Sequence, residues 1–240
     1  MEIDKNNVFG ATDRGIVREN NEDAFLINLG HQLFAVADGL GGLPSGDLAS
    51  QLAIDALNEM VLKNTGKDPI DFTSTFKTIN KAVNEAGLDI NSDFGIGTTL
   101  SAIQFQNNKL FGGHVGDSGV FLFTKEDWSK LTKDHTMAED IRDTVGSLQD
   151  QITIPDYYNN ILTQCLGKND SLQVQVFEYA VTQGERFLLY TDGVTKAFSP
   201  SELHKLVWQF QDPKEFIEAI ITEANARGGV DNIAAIAIFV

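Results

Sequence analysis

Cysteine is almost absent from this sequence, which contains only Cys165 among its 240 residues. A single cysteine can form neither an internal disulfide nor a thiolate cage for a metal, and such usage is typical of a reducing compartment. Basic residues are also scarce, with 18 Lys and Arg against 34 Asp and Glu and a formal net charge of -16. Because nucleic acids and anionic membranes attract clustered positive charge, neither is an expected partner.

Long apolar segments are missing as well. No stretch approaches the ~20 apolar residues of a membrane span, and residues 1–5 lack the pattern of a secretory signal, so we expect a cytoplasmic protein. Hydrophobic residues make up 42% of the chain and charged residues 22%, as in ordinary globular domains. We therefore expect one domain over residues 1–240, acting as a monomer.

Apolar segments of strand length recur along the chain and predict β-sheet. They cover residues 24–27, 33–37, 100–105, 110–115, 120–123, 187–190 and 233–240. The connection Asn107-Asn108 is short and favours a hairpin turn, whereas parallel strands would need longer crossovers. The central strands are therefore predicted to run antiparallel.

Helical periodicity separates these segments. Apolar residues recur at spacings of three and four over residues 47–61, with Leu48 in the stripe, and again over 72–83, which predicts two amphipathic helices. A capping residue followed by proline predicts two further helix starts, at Ser199-Pro200 and Asp212-Pro213. Helices grouped on the faces of sheets, rather than alternating with single strands, indicate an α+β fold.

Aspartates recur where the predicted strands end. Asp38, Asp117 and Asp192 each follow an apolar segment, and Asp231 lies just before the last one. One Asp at a strand end usually marks only a turn. Four are more informative, because neighbouring carboxylates repel one another unless a cation lies between them. With one cysteine and four histidines, the pattern favours Mg²⁺ or Mn²⁺ over Zn²⁺.

Seven motifs, in order, resemble those of the metal-dependent protein phosphatases of the PPM (type 2C) family. They are RENNED at 18–23, VADGLGG at 36–42, GTT at 97–99, VGDS at 115–118, LTKDH at 131–135, YTDG at 190–193 and GVDN at 229–232. The resemblance extends from about residue 9 to residue 240 and is to compact bacterial members. It implies a four-layer α-β-β-α sandwich, in which two antiparallel sheets are flanked by helices.

The resemblance also implies a centre of two divalent cations, Mn²⁺ or Mg²⁺, with a weaker third. Asp38 is similar to the carboxylate shared by both cations, and Gly39 to the residue that binds through its carbonyl oxygen. Asp192 and Asp231 match the ligands of the first cation, and Asp23 matches the acid at the second.

Four further residues complete the expected site. Asp117 matches the acid at the third cation, and Glu22 and Asn232 are expected to support the ligands. Arg18 matches the arginine that binds the phosphate, and a planar guanidinium suits two phosphate oxygens. From the residues alone, Arg18 could instead be a surface arginine paired with Glu19 or Glu22.

The implied activity is the hydrolysis of phosphoserine and phosphothreonine in proteins that a kinase has modified. Residues 134–166 correspond to the family's variable flap, which here lacks two expected arginines near residues 158–167. Leu40 replaces a histidine proposed as a proton donor in many relatives, so the general acid is unassigned, with His135 a weak candidate.

A phosphatase of small phosphoesters and a non-catalytic regulatory module of the same fold are the alternatives. The glycines after Asp38 lack the Lys-Ser/Thr of a nucleotide-binding loop.

Overall fold

The structure is a computed structural model that describes residues 2–40, 45–64, 68–90, 95–146, 153–168 and 171–240. Within these residues, ten strands form two five-stranded sheets in which every neighbouring pair is antiparallel. The first sheet has the order β1 (Val8–Asp13), β10 (Ile233–Phe239), β9 (Arg186–Tyr190), β6 (Gly119–Phe123) and β7 (Trp128–Lys130). The second has the order β2 (Asp23–Asn28), β3 (Leu33–Asp38), β4 (Leu100–Gln106), β5 (Lys109–Val115) and β8 (Gln175–Ala180).

The two sheets pack face to face through an apolar inner layer. Phe34 and Val36 of β3 belong to this layer, whereas the alternate residues Leu33, Ala35 and Ala37 belong to the core between the second sheet and its helices. Successive strand residues point to opposite faces, so a strand that is covered on both faces must be apolar throughout. This explains why the central strands are continuous apolar segments in the sequence.

Helices cover both outer faces, which confirms the predicted α-β-β-α sandwich. The second sheet carries α1 (Gly46–Lys63) and α2 (Phe72–Ile90), and the first carries α5 (Pro200–Val207) and α6 (Pro213–Ala226). Two shorter helices, α3 (Met137–Val145) and α4 (Asp192–Ala197), were not predicted. No helix in the described part of the chain has both the length and the apolar character to cross a membrane.

Local signals in the sequence agree with the ends of these elements. Asn107 and Asn108 both have positive φ, 52° and 59°, as a two-residue hairpin turn between β4 and β5 requires. Ser199 accepts a hydrogen bond from the amide of Glu202, whose carboxylate accepts from Ser199 in return. The prediction for Leu48 was wrong, because its side chain is 45% exposed and Ala49 takes the buried position beside it.

The inner layer between the sheets should contribute strongly to stability. Val120 is fully buried in it, whereas Val176, also in a strand, is 56% exposed. Val120→Ala should lower the free energy of unfolding by about 2 kcal/mol, from lost transfer energy and the cavity left behind. Val176→Ala is the matched control, with an expected change within about 0.5 kcal/mol. Urea denaturation measures both, and equal losses would contradict a core between the sheets.

Candidate metal centre

Asp23 and Asp38 are brought together by the register of two strands. Asp23 is the first residue of β2 and Asp38 the last of β3, and the two are direct partners across the antiparallel pair. Residues directly opposite each other project from the same face of a sheet. The hairpin therefore places side by side two carboxylates that are fifteen positions apart in the sequence.

The other aspartates approach from the first sheet and from the turn after β5. Asp192 begins α4 one residue beyond the end of β9, Asp231 lies just before β10, and Asp117 follows β5. Asp38, Asp117 and Asp192 each offer a carboxylate oxygen, and these atoms all lie within 4.8 Å of one another. Thr191 links the two sheets here, since its hydroxyl donates to Asp23 Oδ2 at 2.7 Å.

A cavity of about 260 Å³ opens above these carboxylates. It is lined by Arg18, Glu22, Asp38, Gly39, Leu40, Asp117, Asn160, Leu162, Asp192, Lys196, Asp231 and Asn232. Eight of the nine residues predicted for the site are thus brought together around one space. The ninth, Asp23, is buried beside Asp38 and is not among the lining residues.

The main chain of Asp38 is fixed by the GTT motif. Thr98 Oγ1 and Thr99 N donate to the carbonyl oxygen of Asp38, each at 2.9 Å, and Thr99 Oγ1 accepts from the amide of Asp38 at 3.0 Å. Gly39 is confined in turn, because an added Cβ would lie 2.2 Å from the carbonyl oxygen of Gly46. The motif therefore positions Asp38, and glycine is required after it.

Asn232 organises the loop that carries Arg18. Its side-chain oxygen accepts from the amide of Glu22 at 2.9 Å, and its side-chain nitrogen donates to the carbonyl oxygens of Arg14 and Asn20, each at 2.8 Å. Asn232, the neighbour of Asp231 in the sequence, thus holds both ends of the segment 14–22 against the start of β10.

Two basic side chains contact the aspartates. Arg18 binds Asp231 with both branches of its guanidinium, Nε at 2.9 Å from Oδ1 and Nη2 at 3.0 Å from Oδ2, rather than forming the surface pair considered with Glu19 or Glu22. Lys196 Nζ lies 2.5 Å from a carboxylate oxygen of Asp192 and 2.5 Å from one of Asp231. Lys196 was not predicted for the site, although it lies four residues after Asp192, a spacing that places both on one side of a helix.

Burial controls the protonation of the carboxylates. It raises the pKa of Asp23 to about 8 and that of Asp117 to about 7, with the charge of Asp192 adding to both shifts. The pKa of Asp38 is raised well above its usual range by burial and by the charges of Asp23 and Asp192. Burial also raises the pKa of Asp192, and Lys196 opposes that shift. Asp23 and Asp38, which have no basic partner among the described residues, therefore bind protons more tightly than ordinary aspartates do.

The donor set suits a hard divalent cation. Its ligands are oxygen atoms, mostly from carboxylates, which Mg²⁺ and Mn²⁺ prefer. Asp23 Oδ1 is buried and has no hydrogen-bond partner among the described residues, although a buried polar atom is normally paired. A cation beside this oxygen would satisfy it and remove the repulsion between the carboxylates, so the residues fit the implied metals.

The histidine near the site has a structural environment. His135 Nδ1 accepts from the amide of Gly116 at 3.2 Å, and its ring lies against that of His114, with centroids 5.0 Å apart. The ring of His114 is itself bonded to Ser101 and to the carbonyl oxygen of Lys133. His135 is not among the residues that line the cavity, which disfavours it as the proton donor.

The predicted flap supplies one wall of the cavity. Between residues 134 and 166 the structure describes α3 and a short 3-10 helix, Asp156–Asn160, while 147–152 lie outside the described residues. Asn160 and Leu162 from this segment line the cavity. Arg142 of α3 instead pairs with Glu139 and donates to Asn159.

Comparisons with known proteins give a consistent result. The model of the family described as Protein phosphatase 2C matches residues 15–227. The serine/threonine phosphatase stp of Listeria monocytogenes is 30% identical over 233 residues, covering 92% of this chain and 91% of the relative. Protein phosphatase PhpP of Streptococcus pneumoniae is 29% identical over 230 residues, covering 92% of each chain.

A solved structure extends the similarity to three dimensions. The catalytic domain of the serine threonine protein phosphatase PstP, crystallised in complex with two manganese ions, superposes with a TM-score of 0.82 at 29% identity. The superposition covers 96% of both chains.

The raised pKa values predict how the stability of the metal-free protein depends on pH. A carboxyl group whose pKa is higher in the folded state than its usual ~3.9 binds its proton more tightly when folded, so stability falls as the pH rises from the unfolded pKa to the folded pKa. Protein stripped with a chelator should therefore lose thermal stability as the pH rises from about 4 to about 8, with little further loss above the pKa of about 8 of Asp23.

Matched variants test the source of this loss by differential scanning calorimetry. Asp23→Asn removes one titrating group and should make the fall in melting temperature smaller. Asp55→Asn replaces an exposed aspartate of α1 and should leave the fall unchanged. Excess Mn²⁺ should raise the melting temperature of the wild-type protein at pH 8 by binding the folded state. An identical pH dependence in Asp23→Asn and wild type would contradict the assignment.

Proposed function

The chain belongs to the protein phosphatase 2C family, and from this premise we propose that it hydrolyses phosphoserine and phosphothreonine in proteins. The observation that carries the proposal is the convergence of Asp38, Asp117 and Asp192, with oxygens within 4.8 Å, in a cavity that also holds Arg18. Carboxylates alone would repel a phosphate group. Carboxylates that hold cations, with an arginine beside them, would form a binding site for a phosphate group.

We propose two cations, Mn²⁺ or Mg²⁺, as the cofactors, with a weaker third. Asp38 would be shared, Asp192 and Asp231 would hold the first, and Asp23 with the carbonyl of Gly39 the second. Asp117 and Asp192 would hold the third. When bound, such cations lower the pKa of a water molecule and neutralise charge on the phosphoryl oxygens. The crystal structure of PstP with two manganese ions supports two Mn²⁺ ions as the cofactors, by similarity.

The chain's own side chains would orient the substrate. Arg18 is 41% exposed at the cavity, and its guanidinium can present two N–H groups to two phosphoryl oxygens. Hydrolysis adds water to phosphorus, breaks the bond to the serine or threonine oxygen, and returns a proton to that oxygen. Leu40 has no proton to give, and the cavity lining contains no histidine, so no residue is assigned as the general acid.

The wider biological setting follows from the same premise. We propose that residues 1–240 act as one catalytic domain, with residues 134–166 as the flap, in the cytoplasm and as a monomer. The single cysteine, which is buried, supports a reducing compartment. Substrates would be phosphoproteins modified by a serine/threonine kinase, as the names of the relatives support. A regulatory module would not require the aspartates that the cavity retains.

Asp38→Asn tests the proposal most directly. Loss of the shared negative charge should lower Mn²⁺-dependent hydrolysis of an aryl phosphate and of phosphoserine and phosphothreonine peptides by about 100-fold or more. Asp55→Asn, an exposed aspartate on α1, should retain the wild-type rate. Full activity in Asp38→Asn would refute the proposed site. Hydrolysis of the aryl phosphate alone, without the peptides, would favour small phosphoesters as substrates.

Arg18→Ala tests the role of the guanidinium. A charge-assisted hydrogen bond contributes about 1.5–3 kcal/mol, so the KM for an aryl phosphate should rise about tenfold or more. Arg14→Ala is the matched control, since Arg14 belongs to the same loop but its guanidinium donates to the carbonyl oxygen of Glu19. Steady-state kinetics at saturating Mn²⁺ separates KM from kcat. An unchanged KM in Arg18→Ala, or an equal rise in Arg14→Ala, would contradict a phosphate contact.

A further inference from the structure

The positive charges at the metal centre are unevenly distributed. Lys196 contacts Asp192 and Asp231, and Arg18 contacts Asp231 as well. Asp23 and Asp38 take part in none of the ion pairs found among the described residues, and Asp23 Oδ1 lacks any hydrogen-bond partner there. One half of the cluster is therefore neutralised by the chain itself, and the other half is not.

The oxygens that Lys196 occupies are those that a metal would need. Asp231 Oδ2 accepts hydrogen bonds from both Lys196 Nζ, at 2.5 Å, and Arg18 Nη2, at 3.0 Å. Asp192 Oδ2 lies 2.5 Å from the same ammonium group. A divalent cation at these oxygens would meet a positive charge already in contact with them, and like charges at such distances repel strongly.

We propose that Lys196 is a tethered counter-ion that competes with the divalent cation for Asp192 and Asp231, and so sets the metal concentration at which this half of the site fills. The inference rests on the proposed function of the cavity. It assigns a role to a residue that the aspartate pattern leaves out.

The surroundings of Lys196 allow it to leave the carboxylates. Its side chain is 33% exposed, and it also lines a second cavity, of about 550 Å³, whose lining does not include Asp231. Asp134 lies in that cavity too, paired with Lys130 at 2.5 Å. A displaced ammonium group would therefore remain partly exposed to water, in a cavity that another carboxylate also lines.

Competition has a signature that a purely structural lysine would not produce. If Lys196 and the metal share the same carboxylates, removing the ammonium must weaken the metal-free protein and strengthen metal binding together, because the two effects are linked. A residue that only supported the local fold would lower both stability and metal affinity when replaced. Lower stability of the metal-free protein together with tighter metal binding therefore identifies Lys196 as a competitor.

Calorimetric titration of chelator-stripped protein with MnCl₂, without substrate, provides the test. Lys196→Met keeps most of the unbranched side chain and removes the charge, so the Kd of one class of Mn²⁺ site should fall about tenfold, the order expected of a partly buried ion pair. The melting temperature of the metal-free protein should fall at the same time. Lys196→Arg should keep an affinity near that of the wild type. Lys205→Met, an exposed lysine of α5, should change neither quantity.

Unchanged or weaker Mn²⁺ binding in Lys196→Met would overturn the proposal. If this variant does not fold, as judged by circular dichroism, the same titration is made with Lys196→Gln, and unchanged or weaker Mn²⁺ binding again overturns the proposal. The outcome is separable from that for the proposed function, because binding is measured without turnover. Loss of activity in Asp38→Asn together with unchanged Mn²⁺ affinity in Lys196→Met would reject only the competition. Full activity in Asp38→Asn would reject the catalytic site and leave the titration interpretable.

Discussion

The carboxylates of Asp23 and Asp38 face each other across two hydrogen-bonded strands, and their mutual repulsion is the constraint on which the rest of the site depends. Burial intensifies it, because a charge removed from water is costly unless it has a partner. The raised pKa values of Asp23, Asp38 and Asp117 express the same strain in the metal-free protein. Folding alone would not favour such a cluster of carboxylates, and bound cations would relieve the repulsion between them.

The sandwich is able to maintain such a site because the strands that carry it are held from both sides. β3 contacts the inner layer through Phe34 and the helices through Ala35, so its end cannot easily move to separate Asp38 from its neighbours. Hydrogen bonds continue this restraint beyond the strand. Thr98 and Thr99 fix the main chain of Asp38, as described above, so relief of the repulsion by a local shift is prevented.

Much of this architecture was accessible from the sequence for a physical reason. Strands covered on both faces are mostly apolar, so β3, β9 and β10 were visible as apolar segments, and β4 was visible although Ser101 and Gln104 interrupt it. β8 was missed, because its residues alternate between partly buried and exposed positions and include Gln175 and Glu178. β1 and β7 were also missed, because neither contains a long apolar run. β1 contains Gly10, and β7 has only three residues.

Some features of the site could likewise be predicted from the sequence, and others could not. Aspartates that end apolar strands could be found by pattern, and the family motifs added Arg18 and Asp23. The partner of Arg18 could not be found, since Asp231 is more than two hundred positions away and meets it only through the pairing of β1 with β10. Lys196 was missed because α4 has only six residues, too few to show a helical period.

The distribution of the basic residues then gives the site its asymmetry. Arg18 and Lys196 both lie on the side of Asp231, and no described ion pair reaches Asp23. A cation that enters beside Asp23 meets only negative charge and an unpaired oxygen, whereas one that enters beside Asp231 must compete with two tethered cations. The two proposed cations would therefore bind with unequal affinities because of the placement of two side chains, even though both would share Asp38.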